Sequence, residues 1–207
     1  MVTADSQTAG RGRRGRTWFA EPGTSLLYSL VIRPTGDRPL LPLSIPIAVC
    51  EAAESLADVR CQIKWPNDVW IDGRKLAGVL IEGRPDRDPD ASWSVIGIGM
   101  NLDLSSARIP PELTGRVAWL GDGATAERVR EQLNDSIASW LDAGERKILE
   151  EFARRDLLEG RDLSWDGGSG RAAGVDKRGH LLVETEGGGM IALGAGEVSI
   201  SAASSDS

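Results

Sequence analysis

The chain has 207 residues, is 41% hydrophobic and carries a formal net charge of −7. That length supports one mid-sized domain and a small one, and the acidic balance argues against a general nucleic-acid binder, which carries a basic one. No apolar run reaches ~18 residues, which excludes a membrane-spanning helix, and Met1-Val2-Thr3-Ala4-Asp5 lacks the charged-then-apolar layout of a signal peptide, so a cytoplasmic location is expected.

Val2-Thr3-Ala4 predicts the end of a strand. Gly10-Arg11-Gly12-Arg13-Arg14-Gly15-Arg16 follows, three glycines alternating with four arginines. Glycine lets a backbone turn and approach a ligand closely, and guanidinium forks match phosphate and carboxylate. Taken alone, the run equally suits a basic turn or an RNA-binding arginine–glycine segment. Thr24 to Ile32 has few polar breaks and predicts a buried strand ended by Pro34 and Gly36. Pro39 to Pro46 predicts a loop, and Pro46 opens a helix to about Val59 with Val49, Cys50, Ala53 and Leu56 as its apolar stripe. Cys50 and Cys61 are too few for a disulfide framework and have no metal spacing, so they are expected as reduced core residues. The single histidine, His180, lies far along the chain from the motifs.

Gln62 to Ile71 predicts two short strands around Trp65-Pro66. Asp72-Gly73 is a hairpin signal, and Leu76 to Ile81 and Trp93 to Met100 are strands joined by a solvated loop from Arg84 to Asp90. Ile109 to Gly123 is loop-rich. Thr125 caps a helix whose face is Val129, Leu133, Ile137 and Leu141. A second helix runs from Glu145 to about Leu158 on Ile148, Leu149 and Phe152, with Arg154 and Arg155 at its dipole-favoured end. From Gly160, strands at Gly170–Val175, His180–Glu184, Met190–Leu193 and Glu197–Ile200 alternate with Gly-rich turns, a small antiparallel barrel or sandwich. The fold class is α+β: a mixed sheet with helices on one face over 1–159, a small β domain over 160–201, and a disordered polar tail over 202–207.

Three further motifs stand in order after the Gly/Arg loop: Lys64-Trp65-Pro66-Asn67-Asp68, Arg74-Lys75-Leu76-Ala77-Gly78-Val79-Leu80 and Gly97-Ile98-Gly99-Met100-Asn101-Leu102. The last is not a dinucleotide fingerprint, because the Gly-x-Gly-x-x-Gly order fails at Leu102. Together the set resembles the biotin–protein ligases of the biotin–[acetyl-CoA-carboxylase] ligase type, over nearly the whole chain. The resemblance implies a class II aminoacyl-tRNA synthetase-like catalytic core followed by an SH3-like barrel. It implies ATP-dependent activation of biotin as biotinyl-5′-AMP, then transfer to a lysine of a biotin carrier domain of an acyl-CoA carboxylase. Both steps move negative charge, and fixed cations suit them.

By the same resemblance, Lys64 is the catalytic ammonium between the biotin carboxylate and the α-phosphate, and Arg13 retains the activated intermediate. Gln7, Gly10, Arg11, Gly12, Arg13, Lys64 and Gly78 match the biotin side. Arg13, Arg16, Trp18, Asn67, Lys75 and Asn101 match the nucleotide side, and Asp68 is the candidate Mg²⁺ ligand. Arg14 and Arg16 are expected to be solvated or to screen phosphate. Trp18 suits either adenine packing or an ordinary core position.

Members of the family normally carry some tens of residues before the Gly/Arg loop, including a Ser-Thr-Asn segment that binds the biotin ring. None precedes Gln7, so an internal start within a longer protein, or a shortened weak paralogue, is expected. Poor biotin binding is expected too, at about 1–3 kcal/mol for each polar partner lost. No helix-turn-helix stretch precedes the loop, so no DNA partner is expected. Exposed strand edges permit a homodimer. The rivals are a lipoate–protein ligase, a nucleic-acid-binding module built on the loop, and a non-catalytic protein that docks a carrier.

Overall fold

The computed structural model describes residues 1–33, 38–84, 93–194 and 196–201. The strand end expected at Pro34 and Gly36, the solvated loop past Arg84 and the tail over 202–207 lie outside the described residues. In chain order the elements are β1 (Val2–Ala4), β2 (Ser25–Ile32), α1 (Leu41–Glu54), β3 (Gln62–Lys64), β4 (Asp68–Ile71), β5 (Arg74–Arg84) and β6 (Trp93–Asn101). There follow α2 (Ala126–Leu141), α3 (Glu145–Arg155), β7 (Asp162–Trp165), β8 (Gly168–Val175), β9 (Leu181–Glu184), β10 (Met190–Leu193) and β11 (Val198–Ile200).

The first six strands form one sheet in the order β1-β2-β6-β5-β4-β3. Every neighbouring pair is antiparallel, which corrects the expected mixed sheet. The reason is where the crossover lands. β2 and β3 run the same way and are joined through α1, as in a parallel unit, but β3 sits at the opposite edge. The hairpins from β3 to β5, and β6 beside β2, fill the gap with antiparallel neighbours. Among the described residues parallel pairing survives only in isolated bridges, Ile63 with Asp156 and Lys75 with Val117.

Alternation along the strands gives the sheet two unlike faces. Leu26 and Tyr28 of β2, Val79 of β5, and Ile96, Ile98 and Met100 of β6 are buried beneath the helices, and the Tyr28 hydroxyl reaches Asn134 of α2 at 2.8 Å. Leu27, Gly78, Leu80, Gly97 and Gly99 look the other way, into a cavity. Helices on one face thus leave the opposite face free for a site.

Helix α1 begins earlier than expected. Leu41 opens it, Pro42 lies in its first turn, Pro46 is inside it, and it ends at Glu54 rather than near Val59. Pro46 removes the N–H that would bond the Pro42 carbonyl. Leu43, Ile45, Ile47, Ala48, Val49, Cys50, Ala52 and Ala53 are all fully buried, and that packing outweighs the missing bond. In α2, Thr125 accepts the Arg128 N–H as expected of a cap. Trp140, rather than Leu141, completes the Val129–Leu133–Ile137 stripe and donates to Glu51 at 2.7 Å. Helix α3 stops at Arg155, and Asp156 leaves the helical region at φ −62°, ψ 113°.

The C-terminal strands form an antiparallel sheet in the order β10-β9-β8-β7-β11. β7 was not expected from the sequence: Asp-Leu-Ser-Trp is short and offers one buried side chain, Leu163. The two sheets share one apolar cluster. They are stitched by the Leu157 N–H on the Ile63 carbonyl at 2.9 Å and the Trp65 indole on the Gly179 carbonyl at 3.0 Å. That second bond brings the His180 segment, remote in sequence, against the Lys-Trp-Pro motif. Cys50 and Cys61 are free and buried, as expected. Among the described residues no helix is long and apolar enough to cross a membrane.

Candidate active site

The Gly/Arg run folds into a short hairpin. The Trp18 N–H donates to the Gly10 carbonyl at 3.1 Å and the Gly12 N–H to the Arg16 carbonyl at 2.6 Å, with Arg11 bridged to Thr17 between them. Its tip is a 3₁₀ turn over Arg13–Gly15 in which Arg14 takes a left-handed conformation at φ 54°. Gly15 follows at φ 73°, a conformation that glycine adopts without the Cβ penalty.

This hairpin arches over the open sheet face and encloses a cavity of about 510 Å³, within the range of small-molecule sites. Gln7, Arg11, Gly12, Arg13, Arg16, Trp18, Lys64, Asn67, Asp68, Lys75, Gly78 and Asn101 all line it. Gly10 does not: a Cβ there would stand 2.6 Å from the Trp18 carbonyl and 2.8 Å from Gln7 Oε1, so it packs the base of the hairpin. Arg14 is exposed and points away from the main cavity, as expected.

The floor is bare backbone. Register sets Leu27 opposite Gly99 and Gly99 opposite Gly78. The Trp18 indole lies flat on these glycines, its ring against Gly99 and its Cζ3 3.2 Å from a Cβ built on Gly78. The indole N–H is buried against the Gly99 backbone with no hydrogen-bond partner in the protein. Trp18 therefore belongs to the cavity and not to the core under the helices.

Cations converge above this floor. Lys64 lies at the end of β3 with its Nζ 5.4 Å from the Trp70 ring centroid. Lys75 Nζ is 2.7 Å from Asp68 Oδ1 and 5.6 Å from the Trp18 centroid. Arg13 donates to Asn67 Oδ1 at 3.3 Å, while Asn67 Nδ2 donates to the Val79 carbonyl at 2.6 Å. Asn67 thereby fixes Arg13 to the sheet. Burial pushes the Lys64 ammonium below its ordinary pKa, opposed by Asp68 and Glu197 and helped by Lys75 and Arg16. Burial likewise lowers Arg13, against the pull of Asp68 and with the help of Arg14 and Arg16. Cations held together in partial desolvation favour an entering anion.

Asn101 is buried, and its Nδ2 is committed to the carbonyls of Ala118 at 2.8 Å and Lys75 at 3.4 Å. It braces the 116–118 segment against β5. Asp68 Oδ1 faces Lys75, and among the described residues no group of three or more His, Cys, Asp or Glu could hold an ion by itself, so the expected Mg²⁺ would draw most of its ligands from phosphate and water.

The sequence reading missed Trp70, Glu82, Arg116 and Glu197, all of which line the cavity. Glu82 could have been found, because it continues the Gly78–Leu80 face of β5 at strand period. Glu197 could not. It pairs with Arg16 at 2.6 Å across 181 positions of sequence.

A profile of the Biotin/lipoate A/B protein ligase family matches residues 1–101. The bifunctional ligase/repressor BirA of Bacillus spizizenii is 33% identical over 203 residues, which cover 91% of this chain and 62% of that protein. The chain thus spans less than two thirds of that relative. The biotin–[acetyl-CoA-carboxylase] ligase of Mycobacterium tuberculosis is 30% identical, over 96% of this chain and 77% of its own length. The biotin protein ligase of Aquifex aeolicus, solved in complex with biotin and ATP, superimposes with a TM-score of 0.77 at 26% identity, over 96% of this chain and 87% of that one.

Proposed function

Because the chain belongs to the biotin/lipoate A/B protein ligase family, we propose that it activates biotin with ATP and passes the biotinyl group to a lysine of a carrier protein. One observation carries this reading: Lys64, Arg13 and Lys75 line a single cavity with the Trp18 indole, which covers the Gly78–Gly99 floor. A flat, largely apolar ring system fits against that indole, and an acyl phosphate fits the cations.

In the first step a biotin carboxylate oxygen attacks the α-phosphorus of ATP. The bond to the leaving pyrophosphate breaks and biotinyl-5′-AMP remains. Lys64 bridges the carboxylate and the α-phosphate, and Arg13 holds the phosphate from the hairpin side. In the second step the carrier amine attacks the acyl carbon, and AMP departs as an anion toward the same cations. Gln7, Gly12 and Gly78 shape the biotin side, and Gly10 packs the hairpin base beside Gln7. Arg16, Trp18, Asn67, Lys75 and Asn101 shape the nucleotide side. Asp68 would hold a Mg²⁺ ion that arrives with ATP, whose charge would favour the leaving pyrophosphate. The carrier would be the biotin domain of an acyl-CoA carboxylase, and the C-terminal sheet would correspond to the family's SH3-like barrel.

The test supplies biotin, ATP and a purified carrier domain, and follows pyrophosphate release and carrier mass. Lys64→Met should lower adenylate formation by about 10²–10³-fold, on the scale of losing one preorganised donor, with the fold intact by circular dichroism. Equal turnover with lipoate would move the chain to the lipoate branch of the family. No pyrophosphate with either acid would remove the reading. Arg13→Gly should let activated biotin escape and label bystander proteins; labelling confined to the carrier would refute the retention role of Arg13.

A further inference from the structure

The hairpin over the cavity is held at its base by a contact that the chemistry above does not use. Arg11 Nη1 and Nη2 meet Glu82 Oε1 and Oε2 at 3.2 and 2.7 Å, a two-bond fork between the loop and β5. A guanidinium edge engaged this way has already spent the two donors it would offer a ligand anion. Glu82 lies on β5 opposite Val95 of β6, in the stretch beyond Gly78 where β4 no longer pairs, so it is fixed to the sheet through β6. Arg11 lies within the hairpin neck, between the Gly10–Trp18 and Gly12–Arg16 bonds. Whatever fixes Arg11 therefore also fixes Trp18 on the glycine floor and Arg13 above it.

We infer that Glu82 is a positioning residue: by clasping Arg11 it holds the Gly/Arg hairpin closed over the cavity and so sets how long an activated ligand stays. This assigns Arg11 to tethering, where the sequence reading placed it on biotin, and it rests on the proposed function only for what the ligand is. The clasp is reversible. The Arg11 and Glu82 side chains are 70% and 47% exposed, and an exposed ion pair is weak and screened by salt. A weak clasp suits a flap that must open once each cycle.

The test has one arm that needs no ligand. Amide hydrogen exchange is measured by mass spectrometry in the unliganded protein. Glu82→Gln should speed exchange across 10–18 by about two- to fivefold, the scale of an exposed pair, and leave α1 unchanged. Wild type in 1 M salt should approach the variant (a concentration at which the Debye length is about 3 Å). The charge exchange Arg11→Glu with Glu82→Arg should restore slow exchange. The second arm follows release of preformed biotinyl-5′-AMP. Glu82→Gln should release it faster by a similar factor and raise KM for biotin more than it changes kcat. Unchanged loop exchange in Glu82→Gln, or no recovery in the charge exchange, overturns the clasp whatever the ligand proves to be. A loosened loop in a protein that forms no adenylate would retain the clasp and refute the ligase reading instead.

Discussion

Gly99 and Trp18 show how narrow the tolerances are at single positions. A Cβ on Gly99 would collide with the Trp18 ring, lying 2.7 Å from both Cζ2 and Nε1, whereas a Cβ on Gly78 meets the mobile end of Lys75 and the ring edge at 3.2 Å. Neither glycine has a positive φ, so alanine strains no backbone at either site and the effect is steric. Gly99→Ala should lift the indole off the floor at a cost of about 1–3 kcal/mol. Biotin affinity by calorimetry should fall accordingly, and Gly78→Ala should be clearly milder. Equal affinities in the two variants would mean that the ring does not rest on Gly99 in solution. Gly99 was legible as a candidate because it sits two residues from Gly97 in a strand-like run, and Gly78 because it lies in the Lys75–Leu80 motif. The occupant of the space they leave was not, since Trp18 lies some eighty positions away and reaches them only through the hairpin.

Arg155 joins three elements. Its side chain, 13% exposed, forks onto Glu54 at the end of α1 at 2.8 and 2.9 Å and reaches Glu151 one turn back in α3 at 2.7 Å. Glu54 in turn accepts the Cys61 N–H at 2.8 Å, just before β3. Burial works against both charges, but their mutual bonds win: Arg155 is held above its ordinary pKa by Glu54, Cys50 and Glu151. Glu54 is held below the usual carboxylate range by Arg155 and the Cys61 amide. Arg155→Ala would leave Glu54 partly buried with only the Cys61 N–H, while Glu151 keeps Arg154, costing about 3 kcal/mol. Arg155→Lys would keep the charge and lose the fork, for an intermediate cost. Urea unfolding measures both, and a loss under about 1 kcal/mol for Arg155→Ala would reduce the cluster to surface decoration. Arg154 and Arg155 at a helix end suggested a dipole role from sequence. Only the packing of α3 on α1 separated them, leaving Arg154 outside and turning Arg155 inward.

At the scale of the whole molecule, the junction between the two sheets carries a titratable weak point. Asp156 follows α3, bridges to Ile63 of β3 and accepts the Leu158 N–H at 2.8 Å. Its Oδ2 is sealed without a protein partner, and burial pushes its carboxyl up to about 6, aided by Glu159 and opposed by the Leu158 and Glu159 amides. A carboxyl raised in the folded state favours folding when protonated. Its stabilising protonation is complete below the ordinary value of 3.8 and is lost as pH rises through about 6. The stability of Asp156→Asn relative to wild type should therefore rise between pH 4 and pH 7, read from thermal midpoints. A flat difference would show that Asp156 is solvated at the junction. The sequence by itself determined the strands other than β7, most of each helical face, the glycine–arginine loop and the lysine motifs, because each follows from local periodicity, turn chemistry and spacing within a few residues. Tertiary structure alone decided the all-antiparallel sheet order, the start of α1 before its buried proline, the pairings of Arg11 with Glu82 and Arg16 with Glu197, and the seat of Trp18. Those outcomes depend on which distant surfaces meet, and no local pattern encodes that.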